Sequence, residues 1–142
     1  MHTAFKAFIC NSSFKVNEAA IKFTCKVGKT INPSSIKYEF ISFHNSFYSR
    51  IMGSLSATLN PKYQKPFSPI VPGFRYRTYN NIKGVNNLII KNTCGVIIEP
   101  IQSEGGVNIT ILEFLLALRN RCNEIGAILI YNKIQCGLFR TR

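Results

Sequence analysis

Two short apolar runs, Cys94 to Ile98 and Ala127 to Tyr131, flank a segment of helical period, Thr110 to Gly126. Within that segment Phe114, Leu115, Leu118, Cys122 and Ile125 recur at helical spacing, Glu113, Arg119 and Arg121 fall outside the stripe, and Gly126 stops it. Apolar runs this short read as strands buried on both faces, the habit of a parallel sheet. The pattern therefore predicts an α/β chain with a mostly parallel sheet and flanking helices. Polar Asn132 sits where the last strand ends, and open α/β sheets bind ligands at the carboxyl ends of their strands.

The upstream chain reads in the same alphabet. Phe5 to Cys10 is a strand candidate, Asn11-Ser12-Ser13 a turn with capping hydroxyls, and Lys15 to Val27 an amphipathic helix. A strand, turn and helix in that order invite an anion onto the helix N-terminus. Lys29 to Ser35 reads as a loop, and Tyr38 to Phe43 as an aromatic-rich strand. Asn60 to Gly73 is a proline-rich loop, Phe74 to Tyr79 a further strand and Lys83 to Lys91 a short helix. At 142 residues and 46% hydrophobic the chain is at most one domain with a real core. Its apolar runs are too short to span a bilayer, and its start shows no secretory or transit character, so no membrane partner and no address are expected.

Eighteen Lys and Arg face six acids, all of them Glu, for a net charge of +12. Such a charge favours nonspecific polyanion binding, but the basic residues are scattered along the chain without a block or stripe, which reads as solvated surface. Phe74-Arg75-Tyr76-Arg77-Thr78-Tyr79 is the best local candidate for a nucleic-acid face, and it carries no recognisable motif, so no specific nucleic acid is expected. Five cysteines with no C-x-x-C pair and two histidines make no metal site. They read as small buried residues of a reducing compartment.

Several stretches resemble the pyridoxal-phosphate aminotransferases of the acetylornithine and ornithine group, which have the fold-type I architecture. Ala127 to Gly137 follows that family's (L/V)(I/V)(F/Y)-Asp-Glu-(I/V)-Gln-Cys-Gly, with Asn132 and Lys133 in place of the two acids. Asn11 to Ala19 is similar to Asn-Ser-Gly-(Thr/Ser)-Glu-Ala-Asn-Glu-Ala and departs from it at Ser13, Phe14, Lys15 and Val16. Phe43 to Arg50 resembles Phe-His-Asn-Ser-Phe-His-Gly-Arg, with Tyr48 and Ser49 replacing His and Gly. Pro61-Lys62-Tyr63 opens the family's Pro-Lys-Tyr pattern, and Glu99 to Gly106 matches Glu-Pro-Ile-Gln-Gly-Glu-Gly-Gly except at Ser103.

The resemblance implies a site. Ser12 and Ser13 would hold the cofactor phosphate, Phe47 would stack on the pyridine ring, Ile134 would pack on it and Gln135 would approach the ring hydroxyl. Asn132 takes the place of the carboxylate that keeps the pyridine nitrogen protonated. Arg50 would pair with the substrate carboxylate, a task suited to its planar fork, and Glu104 would lie near the substrate. A Ser at position 49 would strain the turn if it needs positive φ. The family's Schiff-base lysine belongs to a later Lys-Pro-type motif expected past residue 142, so no residue of this chain is assigned a catalytic role.

The resemblance covers nearly the whole chain and implies an incomplete large, cofactor-binding domain, with the catalytic-lysine segment and small domain absent. Without its later neighbours the first strand would lack a partner, leaving exposed edges and poor solubility. Ser13, Ser49, Ser103, Lys15, Lys133, Asn132, Arg142, Tyr48 and Val16 each differ from the family by a change that one G-to-A or C-to-T substitution produces. The expectation is a transaminase of arginine biosynthesis, passing an amino group from an acylated ornithine to 2-oxoglutarate, in a truncated or decayed copy inactive alone. The alternatives are a non-catalytic partner of an intact paralogue, as homodimer or heterodimer, and a basic polyanion-binding protein. By family the compartment is the mitochondrial matrix or the cytoplasm.

Overall fold

The computed structural model describes residues 6–31 and 37–141. Four parallel strands form one sheet in the order β2-β1-β3-β6: β1 (Glu39–Phe43), β2 (Phe74–Arg77), β3 (Thr93–Ile98) and β6 (Ile128–Tyr131). The central strand β3 is buried along its whole length, as its apolar run predicts. On one face Ile41, Phe43, Val96 and Ile98 pack against Phe114, Leu118 and Cys122 of α5 (Leu112–Ile125) and Val85 and Leu88 of α4 (Val85–Leu88). The opposite face carries Phe40 and Cys94, covered by α1 (Ser13–Ile31), and Ile97, covered by Tyr48 and by Ala57 of α2 (Met52–Ala57). Period-two alternation along the strands feeds two apolar layers, and it breaks at Cys94, where the β1–β3 register shifts.

The inner stripe of α1 is Asn17, Ile21, Thr24 and Gly28, all buried and spaced to share one helix face. The helix runs through Gly28 to Ile31, further than the expected end at Val27, and a Cβ at Gly28 would meet the Cys94 Cβ at 3.5 Å, an ordinary packing contact. Part of the expected loop from Lys29 is therefore helix, and residues 32–36 lie outside the described residues. Gly126 does stop α5, with φ of 71° at its C-cap, and the Lys37 ammonium donates to the carbonyls of Ile125 and Gly126 at 2.5 and 3.1 Å.

Other expectations change. Residues 6–10 form no strand, since the sheet offers them no pairing partner; Phe8 rests edge-on against Phe23 instead, and Phe5 lies outside the described residues. Strand β6 is not buried on both faces: it is the sheet edge, and Leu129 is its one buried residue. The proline-rich stretch folds into α3 (Pro61–Gln64), capped by the Asn60 side chain, and a 3-10 turn at Lys65–Phe67. The helix expected at Lys83 to Lys91 shortens to a 3-10 turn at Ile82–Gly84 followed by α4. A small antiparallel pair, β4 (Ile101–Gln102) and β5 (Asn108–Ile109), closes the loop after β3. No helix among the described residues is long and apolar enough to cross a membrane, and none of their His, Cys, Asp and Glu side chains cluster in threes around a metal position.

Candidate functional site

Because the strands are parallel, the segments that leave β1, β3 and β6 emerge at one edge, together with the N-terminus of α1. They enclose a cavity of about 370 Å³. Six of the residues singled out in the sequence line it: Ser13, Phe47, Glu104, Asn132, Ile134 and Gln135. Two do not. Ser12 contributes its backbone, accepting the first helical hydrogen bond from the Val16 N–H, and Arg50 stands exposed outside the wall.

Phe47 and Ile134 both line the cavity and offer it apolar surface for a flat ring. Ser13 begins α1 beside it, where the first N–H groups of a helix have no intrahelical acceptor and favour an anion. Phe14 occupies part of the same wall. At the end of β6 the Asn132 amide is engaged on both sides: its nitrogen donates to Asn17 Oδ1 at 3.1 Å and its oxygen accepts from the Ile134 N–H at 3.1 Å. Asn17 in turn donates to the Tyr48 carbonyl, so one chain of amides ties β6, α1 and the loop after β1 together.

Glu99 is the residue that motif reasoning passed over. Only 4% exposed, it lines the cavity and accepts from the Phe47 N–H at 2.7 Å. Burial pushes its carboxyl from the ordinary 4.5 up to about 7, against the opposing pull of the Phe47 and Ser103 backbone N–H groups. Among the described residues no Lys, Arg or His lines the cavity. Burial far from its own sequence neighbours is a tertiary property, and nothing in Glu99-Pro100 alone signals it.

Tyr63 is the second such residue. Its hydroxyl donates to Glu104 at 3.3 Å, its ring stands edge-on to Phe47 with centroids 6.0 Å apart, and the Arg50 guanidinium lies 4.3 Å above it. The planar fork of Arg50 is thus parked on an aromatic face beside the mouth. Arg75 and Arg77, the basic pair of the nucleic-acid candidate, are partly buried and likewise have partners within the chain: Arg75 pairs with Glu39 at 3.0 Å and Arg77 donates to the Tyr76 carbonyl.

Ser49, where the resembled family has glycine, adopts φ of 137°, a conformation that L side chains rarely take. Ser49→Gly is therefore expected to stabilise the chain by about 1 kcal/mol, the released strain outweighing the entropy of a freer unfolded chain. Urea denaturation checks it; an unchanged or lower midpoint would show that the turn carries no such strain.

Fold and site together define an α/β domain whose loops converge on a cavity at the carboxyl ends of its parallel strands. A protein-family model for class-III aminotransferases matches residues 2–142, and the chain belongs to that family. It is 57% identical over 141 residues to the mitochondrial acetylornithine aminotransferase of Neurospora crassa, covering 99% of this chain and 31% of that protein. Acetylornithine aminotransferase of Methanocaldococcus jannaschii is 40% identical over 137 residues, covering 96% of this chain and 34% of its own. Among solved structures, ornithine aminotransferase of Toxoplasma gondii superposes with a TM-score of 0.84 at 25% identity, over 91% of this chain and 31% of that one. The architecture is that of the fold-type I aminotransferases. The chain spans about a third of the length of the relatives it matches.

Proposed function

We propose that this chain is the cofactor-holding part of an acetylornithine-type transaminase of arginine biosynthesis, and that by itself it holds pyridoxal phosphate without turning over. The residues present fit the ring and the phosphate: Phe47 and Ile134 supply apolar wall, and the N-terminus of α1 with Ser13 supplies donors. When bound, pyridoxal phosphate supplies an aldehyde conjugated to an electron-withdrawing ring. That chemistry needs a charged partner at the ring nitrogen, and the observation carrying this proposal is that Asn132 is a neutral amide already held by Asn17 and Ile134. A neutral hydrogen bond in place of a charge-assisted one weakens the interaction that favours a protonated ring. Among the described residues no lysine lines the cavity to act as nucleophile.

The names of the fungal relatives support the mitochondrion as the compartment. A second reading, a non-catalytic subunit paired with a full-length paralogue, draws support from Leu138 and Phe139, which are 90% and 101% exposed just past the cavity strand, an unusual place for bulky apolar groups.

Equilibrium dialysis of the full chain against pyridoxal phosphate tests the proposal, alongside an assay of amino transfer from N-acetylornithine to 2-oxoglutarate. The expected result is saturable binding, weakened by Phe47→Ala, with no transfer. Absence of saturable binding would overturn the cofactor assignment, and turnover would overturn the inactivity. Adding an intact acetylornithine aminotransferase separates the two readings, because a paired subunit would restore transfer or change the size of the complex.

A further inference from the structure

The lysines that look scattered along the sequence are gathered by α1. Lys15, Lys22, Lys26 and Lys29 follow one another at steps of seven, four and three residues and are all exposed. At 100° per residue they fall within an arc of about 60° along about 21 Å of helix. The helix has a single acid, Glu18, which borders this arc and is engaged by α2: its carboxylate accepts from the Ser54 N–H at 2.6 Å and the Ser54 hydroxyl at 2.8 Å. Among the described residues the two ion pairs are Glu39–Arg75 and Glu124–Arg121, and neither uses a lysine of α1.

Beside this stripe runs an apolar flank. Phe23 is 50% exposed on α1, the Phe8 ring packs edge-on against it at 5.1 Å, Ile9 is 92% exposed, and Val16 lies exposed about two turns before Phe23. Lys6 is exposed next to them. None of these groups takes part in the cavity or its supporting amide chain.

We propose that this face of α1 is a docking surface for an anionic lipid bilayer. Four point charges on long alkyl stems, lined up next to exposed Phe and Ile side chains, match a boundary where phosphate headgroups meet acyl chains. The lysine stripe supplies charge complementarity, and the apolar flank supplies groups that gain by leaving water. A nucleic-acid strand fits less well: α1 carries no Arg to fork onto a phosphodiester, Ile9 and Val16 offer no stacking surface, and the Phe8 and Phe23 rings meet edge-on at 87° instead of forming successive parallel platforms for bases.

Co-sedimentation of the full chain with vesicles tests the proposal, using phosphatidylcholine alone and phosphatidylcholine mixed with phosphatidylserine. The expected result is binding to the mixed vesicles only, falling steeply with salt. Replacing Lys15, Lys22, Lys26 and Lys29 together by Gln should weaken it about a hundred-fold or more. Replacing Lys62, Lys65, Lys83 and Lys91 by Gln, which removes the same charge elsewhere, should change it far less. Substituting Ile9 and Phe23 by Ser should weaken vesicle binding while leaving retention on heparin unchanged. Equal losses in the two lysine variants would reduce the effect to net charge and overturn the proposal. Absence of vesicle binding, or tighter binding to single-stranded nucleic acid than to the mixed vesicles, would overturn it as well.

Discussion

Replacing Gly105 by alanine is expected to cost about 3 kcal/mol, at the upper end of what overpacking exacts. An added Cβ would stand 1.8 Å from the Asn45 carbonyl oxygen and 2.7 Å from its carbon, both backbone atoms that no rotamer change can move. Asn45 is itself held in the left-handed region, with φ of 63°, so the turn after β1 has little freedom to retreat. The glycine therefore sets how closely the loop after β3 approaches the loop after β1, and those loops carry Ser103, Glu104 and Phe47 of the cavity wall. Guanidinium unfolding of the variant measures the loss. A change below about 1 kcal/mol would show that the two loops separate freely and that the cavity's outer wall is soft.

The second large effect is a pH dependence centred on Glu99. Its folded-state pKa of about 7 lies above the ordinary 4.5, because burial disfavours the charged form. The folded chain then binds the proton more tightly than the unfolded chain. Stability associated with Glu99 is fully present below pH 4.5 and is lost as pH rises through about 7. The full shift corresponds to about 3 kcal/mol. Glu99→Gln keeps an oxygen to accept from the Phe47 N–H but cannot ionise. The variant should match the parent near pH 4.5 and exceed it at pH 8 by about 2 to 3 kcal/mol, with the slope between flattened. Thermal melts of both proteins across that range decide it: parallel curves would mean that Glu99 does not titrate in the window.

Part of this was legible in the residues and part was not, for identifiable reasons. Strands β1 and β3, helix α5 and its stop at Gly126 follow from local periodicity and one glycine, which tertiary contacts then only reinforce. Residues 6–10 carry the same apolar signal and form no strand, because a strand is a relation to a neighbour and the sheet gives them none. Asn132 stands out in the sequence as a substituted position, but its engagement with Asn17 joins residues that only the completed sheet brings together. The motifs that contain Glu99 and Tyr63 give neither residue a role, since desolvation and ring packing are invisible in one dimension. The lysines of α1 looked dispersed for the opposite reason: gaps of seven, four and three residues are scatter along a line and a column around a helix.

The order of the sheet also governs when such a site can exist. No two neighbouring strands of β2-β1-β3-β6 can be joined by a hairpin, because all three pairings are parallel and each needs a crossover. The contact that closes the floor of the cavity, Asn132 to Asn17, links positions 115 residues apart. A ribosome therefore has to release the chain through β6 before that contact forms, and until then β3 presents a bare apolar edge where β6 will dock. Topologies dominated by such distant pairings fold slowly and leave that edge open to other chains during synthesis.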